Sequence, residues 1–151
     1  MKVTVNDLKT IWFFNEYNHK QLADIAAMCT FREFSVKEVL FEQYDELSEV
    51  YILAEGSISM GISIAGNKRI HLGTIEVGEL FSWSAVFKPY ISTAWVMAIA
   101  PSKVIAIDSK RLTEKIGKDC EFGLITMTKI AITISHRLSD TRFQLMNQLV
   151  L

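Results

Sequence analysis

From Phe31 to Asp108 apolar residues fall at alternate positions in short runs, and the runs are separated by glycines and polar clusters. A period of two puts the apolar side chains on one face of a strand, so this pattern commits half of the chain to β structure. Phe31 to Phe34 and Val39-Leu40-Phe41 read as the first two strands, with a turn at Gln43-Tyr44-Asp45-Glu46. Val50 to Ala54 is a continuous apolar run that ends at Glu55-Gly56. Ser57 to Ile64 alternates, with Ile58, Met60, Ile62 and Ile64 on one face. Ala65-Gly66-Asn67-Lys68 is a hairpin turn, and Arg69 to Ile75 returns with Ile70 and Leu72 on one face. Ser92 to Val96 reads as a strand that runs on to Ile99, and Lys103 to Ile107 follows the turn Ala100-Pro101-Ser102. Many short strands with glycine turns at regular intervals predict a sandwich or jelly roll.

Helical spacing flanks this core. Leu8, Ile11 and Trp12, then Leu22, Ile25, Ala26 and Cys29, predict two short helices between Asn6 and Thr30, with Asn18 as an N-cap or turn and His19 as a solvated helix start. Asp108 or Ser109 caps a short helix that runs to Lys118. A long helix follows, from about Glu121 to Gln148. Leu124, Met127, Ala131, Ile134, Leu138, Thr141, Leu145 and Gln148 are spaced alternately by three and four, which is a heptad seam. Either this stripe packs on its own barrel, or it pairs with a second copy; Ile125, Ile132, Phe143 and Met146 supply apolar surface for both. The expected organisation is one domain over 1–151: N-terminal helices over about 5–30, a jelly roll over 31–108 and C-terminal helices over 109–151.

Composition narrows the function classes. Half of the 151 residues are hydrophobic and 11% are aromatic, which excludes a disordered chain. A net charge of −1 gives no electrostatic footprint for nucleic acid. No apolar run approaches the roughly 18 residues needed to cross a bilayer. The N-terminal MKVTVNDLKT lacks a signal-peptide core, so a cytoplasmic protein is expected. Cys29 and Cys120, in apolar helical contexts, read as buried free thiols, too few for an iron–sulfur site. Of the three histidines, His19, His71 and His136, only His71 lies in a strand and no second ligand stands near it, so no metal enzyme is expected. No nucleophile elbow, P-loop or CxxC is present. His136 with Arg137 reads as an ion-pairing surface or a barrel contact.

The stretch GELFSWSAVFKPYISTAWVMA, Gly78 to Ala98, carries the site. Small residues at both ends of a loop let backbone N–H groups converge on an anion. The stretch resembles the phosphate-binding cassette of cyclic-nucleotide-binding domains of the catabolite-activator (CRP/FNR) family. That cassette reads Gly-Asp/Glu-x-x-Gly-Glu, then a short loop, then Arg-Ser/Thr-Ala. The order YILAEGSISM, GTIEVGELF, STAWVMAI and KVIAID extends the resemblance over about residues 5 to 148.

The resemblance implies a β jelly-roll barrel with short N-terminal helices and a long C-terminal helix that dimerises two sensor domains. It implies a regulatory role, without enzyme activity, and a ligand site at Gly78, Glu79, Leu80, Phe81, Ser82, Trp83, Ser84, Ser92, Thr93 and Ala94. Thr141 matches the mid-helix position that closes over the ligand's base, and is otherwise a polar seam residue. A helix-turn-helix module would follow the long helix in a transcription factor of this family; the chain has no room for one, so DNA binding by this chain alone is not expected.

The chain departs from the family pattern at the two charged contacts. Ser82-Trp83 stands where the family has Gly-Glu, and Ser92 stands where it has the Arg. Tyr44 stands where it usually has a Gly. Ser92 and Thr93 offer neutral hydrogen bonds, roughly half as strong as charge-assisted ones. Lys88 and Arg142 either restore charge or are solvated surface. Binding of cyclic AMP or cyclic GMP is therefore expected to be weak or lost. In one reading the pocket takes another small anion or aromatic metabolite against Trp83. In the other, Trp83 plugs the barrel and the domain is a ligand-free dimeric interaction module, or a truncated relative of a CRP/FNR-type transcription regulator.

Overall fold

A computed structural model describes residues 1–149; the last two positions of the expected 109–151 segment lie outside the described residues. The chain starts with α1 (Val5–Lys9), a 3₁₀ turn (Trp12–Phe14) and α2 (His19–Ala26). Two capping boxes define this start. Thr4 accepts from the Asp7 amide while Asp7 accepts from the Thr4 amide, and Asn18 and Gln21 exchange the same pair of bonds at 2.8 and 2.9 Å. His19 is the exposed first residue of α2.

Eight strands follow: β1 (Cys29–Phe34), β2 (Val39–Phe41), β3 (Glu49–Glu55), β4 (Ile58–Ile64), β5 (Lys68–Ile75), β6 (Leu80–Phe81), β7 (Trp95–Ala98) and β8 (Ser102–Asp108). They form two antiparallel four-stranded sheets, in the orders β1-β8-β3-β6 and β2-β7-β4-β5. Ile52, Ile58, Ile75, Phe81, Val96 and Ile105 from both sheets are fully buried in one core. Each such side chain removed from water stabilises the fold by about 1.5–3 kcal/mol. This is the mainly β jelly roll expected from the period of two. The two helices after it are α3 (Ser109–Lys118), capped by Asp108, and α4 (Cys120–Leu149).

Three local expectations are corrected. The return strand β5 does not alternate strictly: Met60 pairs with Gly73 and Gly61 with His71, so Leu72 is an extra, bulged residue opposite β4. Gly61 allows the bulge to pack, since a Cβ there would lie 2.4 Å from the Trp95 ring and 2.0 Å from the Ile70 carbonyl oxygen. The run Ser92 to Val96 is not all strand; β7 begins at Trp95 because Ser92 bends the chain through its own hydroxyl, as described below. Cys29 lies in β1 rather than in a helix, with its thiol donating to the Ile25 carbonyl at 3.0 Å, and Cys120 is exposed at the start of α4. Only one of the two thiols is buried.

Along α4 the buried residues Phe122, Gly123, Thr126, Lys129, Ile130 and Arg137 form one stripe toward the body. Tyr17 and Thr126 share a 2.8 Å hydrogen bond, and the Lys129 ammonium sits 5.3 Å from the Phe13 ring centre, so the N-terminal segment carries the inner half of the helix. The heptad seam lies only partly on this side: Met127 and Ile134 are half-buried against the core. Its Leu124, Leu138 and Leu145 are exposed.

Candidate functional site

The cassette begins at Gly78, whose φ of +92° suits glycine and whose missing Cβ admits the Trp12 indole; a Cβ there would lie 2.8 Å from Trp12 Nε1. Gly78 and Glu79 are tied to Leu53 by backbone bonds of 2.8 and 3.1 Å, and β6 then pairs with Tyr51 and Ile52 of β3. Ser82 follows in the left-handed region (φ +59°) and opens a 3₁₀ turn, Trp83–Val86. The Ser82 hydroxyl accepts from the Tyr51 amide at 3.0 Å and donates to the Glu49 carbonyl at 2.9 Å. It fastens the cassette to β3 and has no donor left for a ligand.

The second half of the cassette is closed in the same way. The Ser92 amide donates to the Asp45 carbonyl, and the Ser92 carbonyl accepts from the Tyr44 amide, both at 2.8 Å. The Ser92 hydroxyl donates to the Ala94 carbonyl at 2.6 Å and accepts from the Ala94 amide at 3.2 Å. The expected neutral hydrogen bond from Ser92 is thus spent within the loop. Tyr44, opposite, holds a φ of +74°, so the backbone of a glycine position is kept although the side chain is not glycine.

Seven of the eleven expected site residues come together. Phe81, Ser82, Trp83, Ser84, Ser92, Thr93 and Ala94 line one cavity with Phe41, Leu47, Met60, Ile75 and Val96. Its volume is about 30 Å³, and none of its lining residues is charged. That is room for one or two water molecules, against the roughly 300–1,000 Å³ of a typical ligand pocket. Lys88 and Arg142 are exposed and do not line it. Gly78 and Thr141 do not line it either. Glu79 and Leu80 face a separate cavity of about 60 Å³, shared with Trp12, Thr133, His136, Arg137 and Asp140.

Charge near the cassette comes from α4. Arg137, only 8% exposed, donates from Nη2 to Glu79 Oε2 at 2.7 Å and reaches the Thr74 carbonyl from Nη1 at 3.5 Å. Arg137 thus joins its two sequence readings: it contacts the barrel, and it does so as a buried partner in an ion pair. Its tie to Glu79 was not legible, because the partners lie 58 positions apart and Arg137 belongs to the body-facing stripe rather than the apolar seam. On the neighbouring strand, Arg32 pairs with Glu49 at 2.8 Å, and burial pushes the Tyr51 hydroxyl up to about 12. Among the described residues no cluster of three or more His, Cys, Asp or Glu could hold a metal ion, and no helix is long and apolar enough to cross a membrane.

The profile of the cyclic nucleotide-binding domain family matches residues 31–119. Several solved structures share the fold. A candidate cyclic nucleotide-binding protein of Geobacter metallireducens is 24% identical, with a TM-score of 0.79 over 90% of this chain and 98% of that one. A cyclic nucleotide-binding domain of Methylobacillus flagellatus superposes with a TM-score of 0.80 at 9% identity, over 95% of this chain and 81% of that one. The catabolite activator protein of Thermus thermophilus gives 0.72 at 16% identity, over 88% of this chain and 61% of that one. No curated protein in the comparison matches the chain. With more than half of its residues inside the profile match and a roll shared with CRP/FNR-type proteins, the chain belongs to the family of cyclic nucleotide-binding domains.

Proposed function

We propose that this is a cytoplasmic regulatory domain whose roll no longer takes a cyclic nucleotide at useful affinity, and that it acts as a dimeric interaction module through α4. One observation carries the reading: the cavity between Phe81 and Ala94 has about 30 Å³ of space and no charged residue on its wall. A cyclic phosphate needs a counter-charge and oriented donors, normally the planar fork of an arginine. Here Ser92 replaces that arginine and turns its hydroxyl onto Ala94. Trp83 takes the place of the acid that would hold a ribose hydroxyl, and its half-buried side chain packs on the core. The exposed Leu124, Leu138 and Leu145 of the seam supply the apolar face for a second copy.

The test is a gain of function. Trp83→Glu with Ser92→Arg restores both charged contacts. Titration calorimetry with cyclic AMP and cyclic GMP is expected to show no heat of binding with the parent chain and measurable binding with the double variant. Binding by the parent overturns the closed roll; no binding by a folded double variant counts against the assignment of Trp83 and Ser92 to those two contacts.

A further inference from the structure

We propose that the cleft between β5 and the outer part of α4 is a binding site for a free α-amino acid, separate from the cassette. The proposal goes beyond the closed-roll reading and does not rest on it.

The cleft has a volume of about 460 Å³, which falls in the range of a small-molecule pocket and far exceeds the space left inside the roll. No residue of the cassette lines it, and neither does Thr141. Its helix wall comes from Arg137, Asp140 and Gln144, spaced by three and four and so on one face, with Phe143 beside them. Its other wall is the edge strand β5 and the residue after it, with His71 and Glu76 at the two ends. Leu138 and Leu145, on the exposed part of the seam, do not line it.

Arg137 is the principal donor. It is buried, yet its one short bond runs from Nη2 to Glu79, which does not line the cleft. Its Nη1 bond to the Thr74 carbonyl is long at 3.5 Å, and its buried Nε has no partner. A guanidinium has five donors, so this one keeps capacity for a carboxylate. Gly73 leaves room for it, since a Cβ there would lie 3.2 Å from Nη1. His71 is the second donor. Its Nδ1 is 2.6 Å from the hydroxyl of the buried Ser59; when that hydroxyl donates, Nε2 carries the ring proton. Glu76 and Asp140 are exposed carboxylates on the same cleft, and they decide the class of ligand. A bare anion at Arg137 meets two negative charges, and a bare cation meets the guanidinium. A ligand that carries a carboxylate and an ammonium on one carbon satisfies both. Phe143, largely exposed, offers its ring to an apolar side chain of that ligand.

The test is a titration of the full chain followed by two-dimensional amide NMR. Each proteinogenic amino acid is added to millimolar concentration, with propionate and propylamine as probes that carry one of the two charges alone. At least one apolar amino acid is expected to move the amides of 71–76 and 137–144 saturably and to leave 81–94 in place. Propionate and propylamine are expected to bind about tenfold or more weakly than that amino acid, since each forgoes one set of charge-assisted bonds. Asp140→Asn is expected to weaken the amino acid by about tenfold, and Glu76→Gln to act in the same direction. Both side chains are exposed, so both variants are expected to keep the fold. The site is overturned if no amino acid moves these amides at millimolar concentration, or if propionate binds as tightly as the amino acid. It is also overturned if Asp140→Asn and Glu76→Gln both leave the affinity unchanged. No nucleotide enters the titration, so failure of the closed-roll reading and failure of this site are separately visible.

Discussion

Ser82 and Tyr51 are joined by a 3.0 Å hydrogen bond in which the Tyr51 amide donates to the Ser82 hydroxyl, and that hydroxyl donates onward to Glu49. Ser82 thus acts as a structural tie between β6 and β3. Two effects oppose each other at this position. The hydroxyl satisfies two backbone groups, while the φ of +59° disfavours any side chain by roughly 1–2 kcal/mol. Ser82→Ala loses the bonds and keeps the strain, and is expected to cost about 1–3 kcal/mol. Ser82→Gly loses the bonds and relieves the strain, so it is expected to be clearly milder. Urea unfolding of the two variants checks the order; an alanine variant as stable as the glycine variant contradicts it.

The exposed seam of α4 predicts a dimer. Leu138 and Leu145 are exposed by 50% and 56%, one heptad apart on the side that does not face the body. Leu138→Glu with Leu145→Glu is expected to give monomers in sedimentation equilibrium, where the parent gives dimers. Since neither side chain is buried, the monomeric roll is expected to keep its far-ultraviolet circular dichroism. A parent chain that sediments as a monomer at tens of micromolar contradicts the dimer.

Alkaline stability follows from three buried acids. Burial pushes the Cys29 thiol up to about 12 from 9.0, and the Tyr17 and Tyr51 hydroxyls up to about 12 from 10.0. A group whose pKa is raised by folding contributes stability that is complete below its unfolded value and is lost as pH climbs toward its folded value. Above the unfolded values the unfolded chain binds fewer protons than the native one, so stability falls with pH. The melting temperature is therefore expected to drop steadily from about pH 9 to 12, in addition to the contribution of any other group. Tyr17→Phe removes one of the three ionising groups. It is expected to lower the melting temperature at neutral pH, through the lost bond to Thr126, yet to flatten the decline above pH 10. A decline as steep as the parent's contradicts the assignment.

What could be read from the residues depended on the range of the interaction. The alternation from Phe31 onward, the Asp108 cap and the span of α4 are local patterns, and each matches the structure. Seven of the expected cassette residues line one small cavity. The bulge at Leu72 in β5 was not legible, because a bulge is set by the partner strand and by the fit of Trp95 against Gly61, neither of which shows in the period of a single strand. The Ser92 hydroxyl was read as a ligand donor; whether a hydroxyl faces a ligand or its own backbone is decided by a turn two residues long. Arg137 is the clearest case of a contact beyond local reach, since nothing near it in the sequence names Glu79 as its partner.

The central claim, a roll closed to cyclic nucleotides, is tested most directly by thermal unfolding with and without cyclic AMP and cyclic GMP. A ligand at about 100 times its Kd stabilises a domain by about 2.7 kcal/mol. For a chain of this size each kcal/mol shifts the midpoint by roughly 2–4 °C, so real binding appears as several degrees. The expected result is an unchanged midpoint with either nucleotide at millimolar concentration. A rise of several degrees that saturates with nucleotide concentration would contradict the account, and would mean that Thr93 and the cassette backbone hold the phosphate after the cavity has opened.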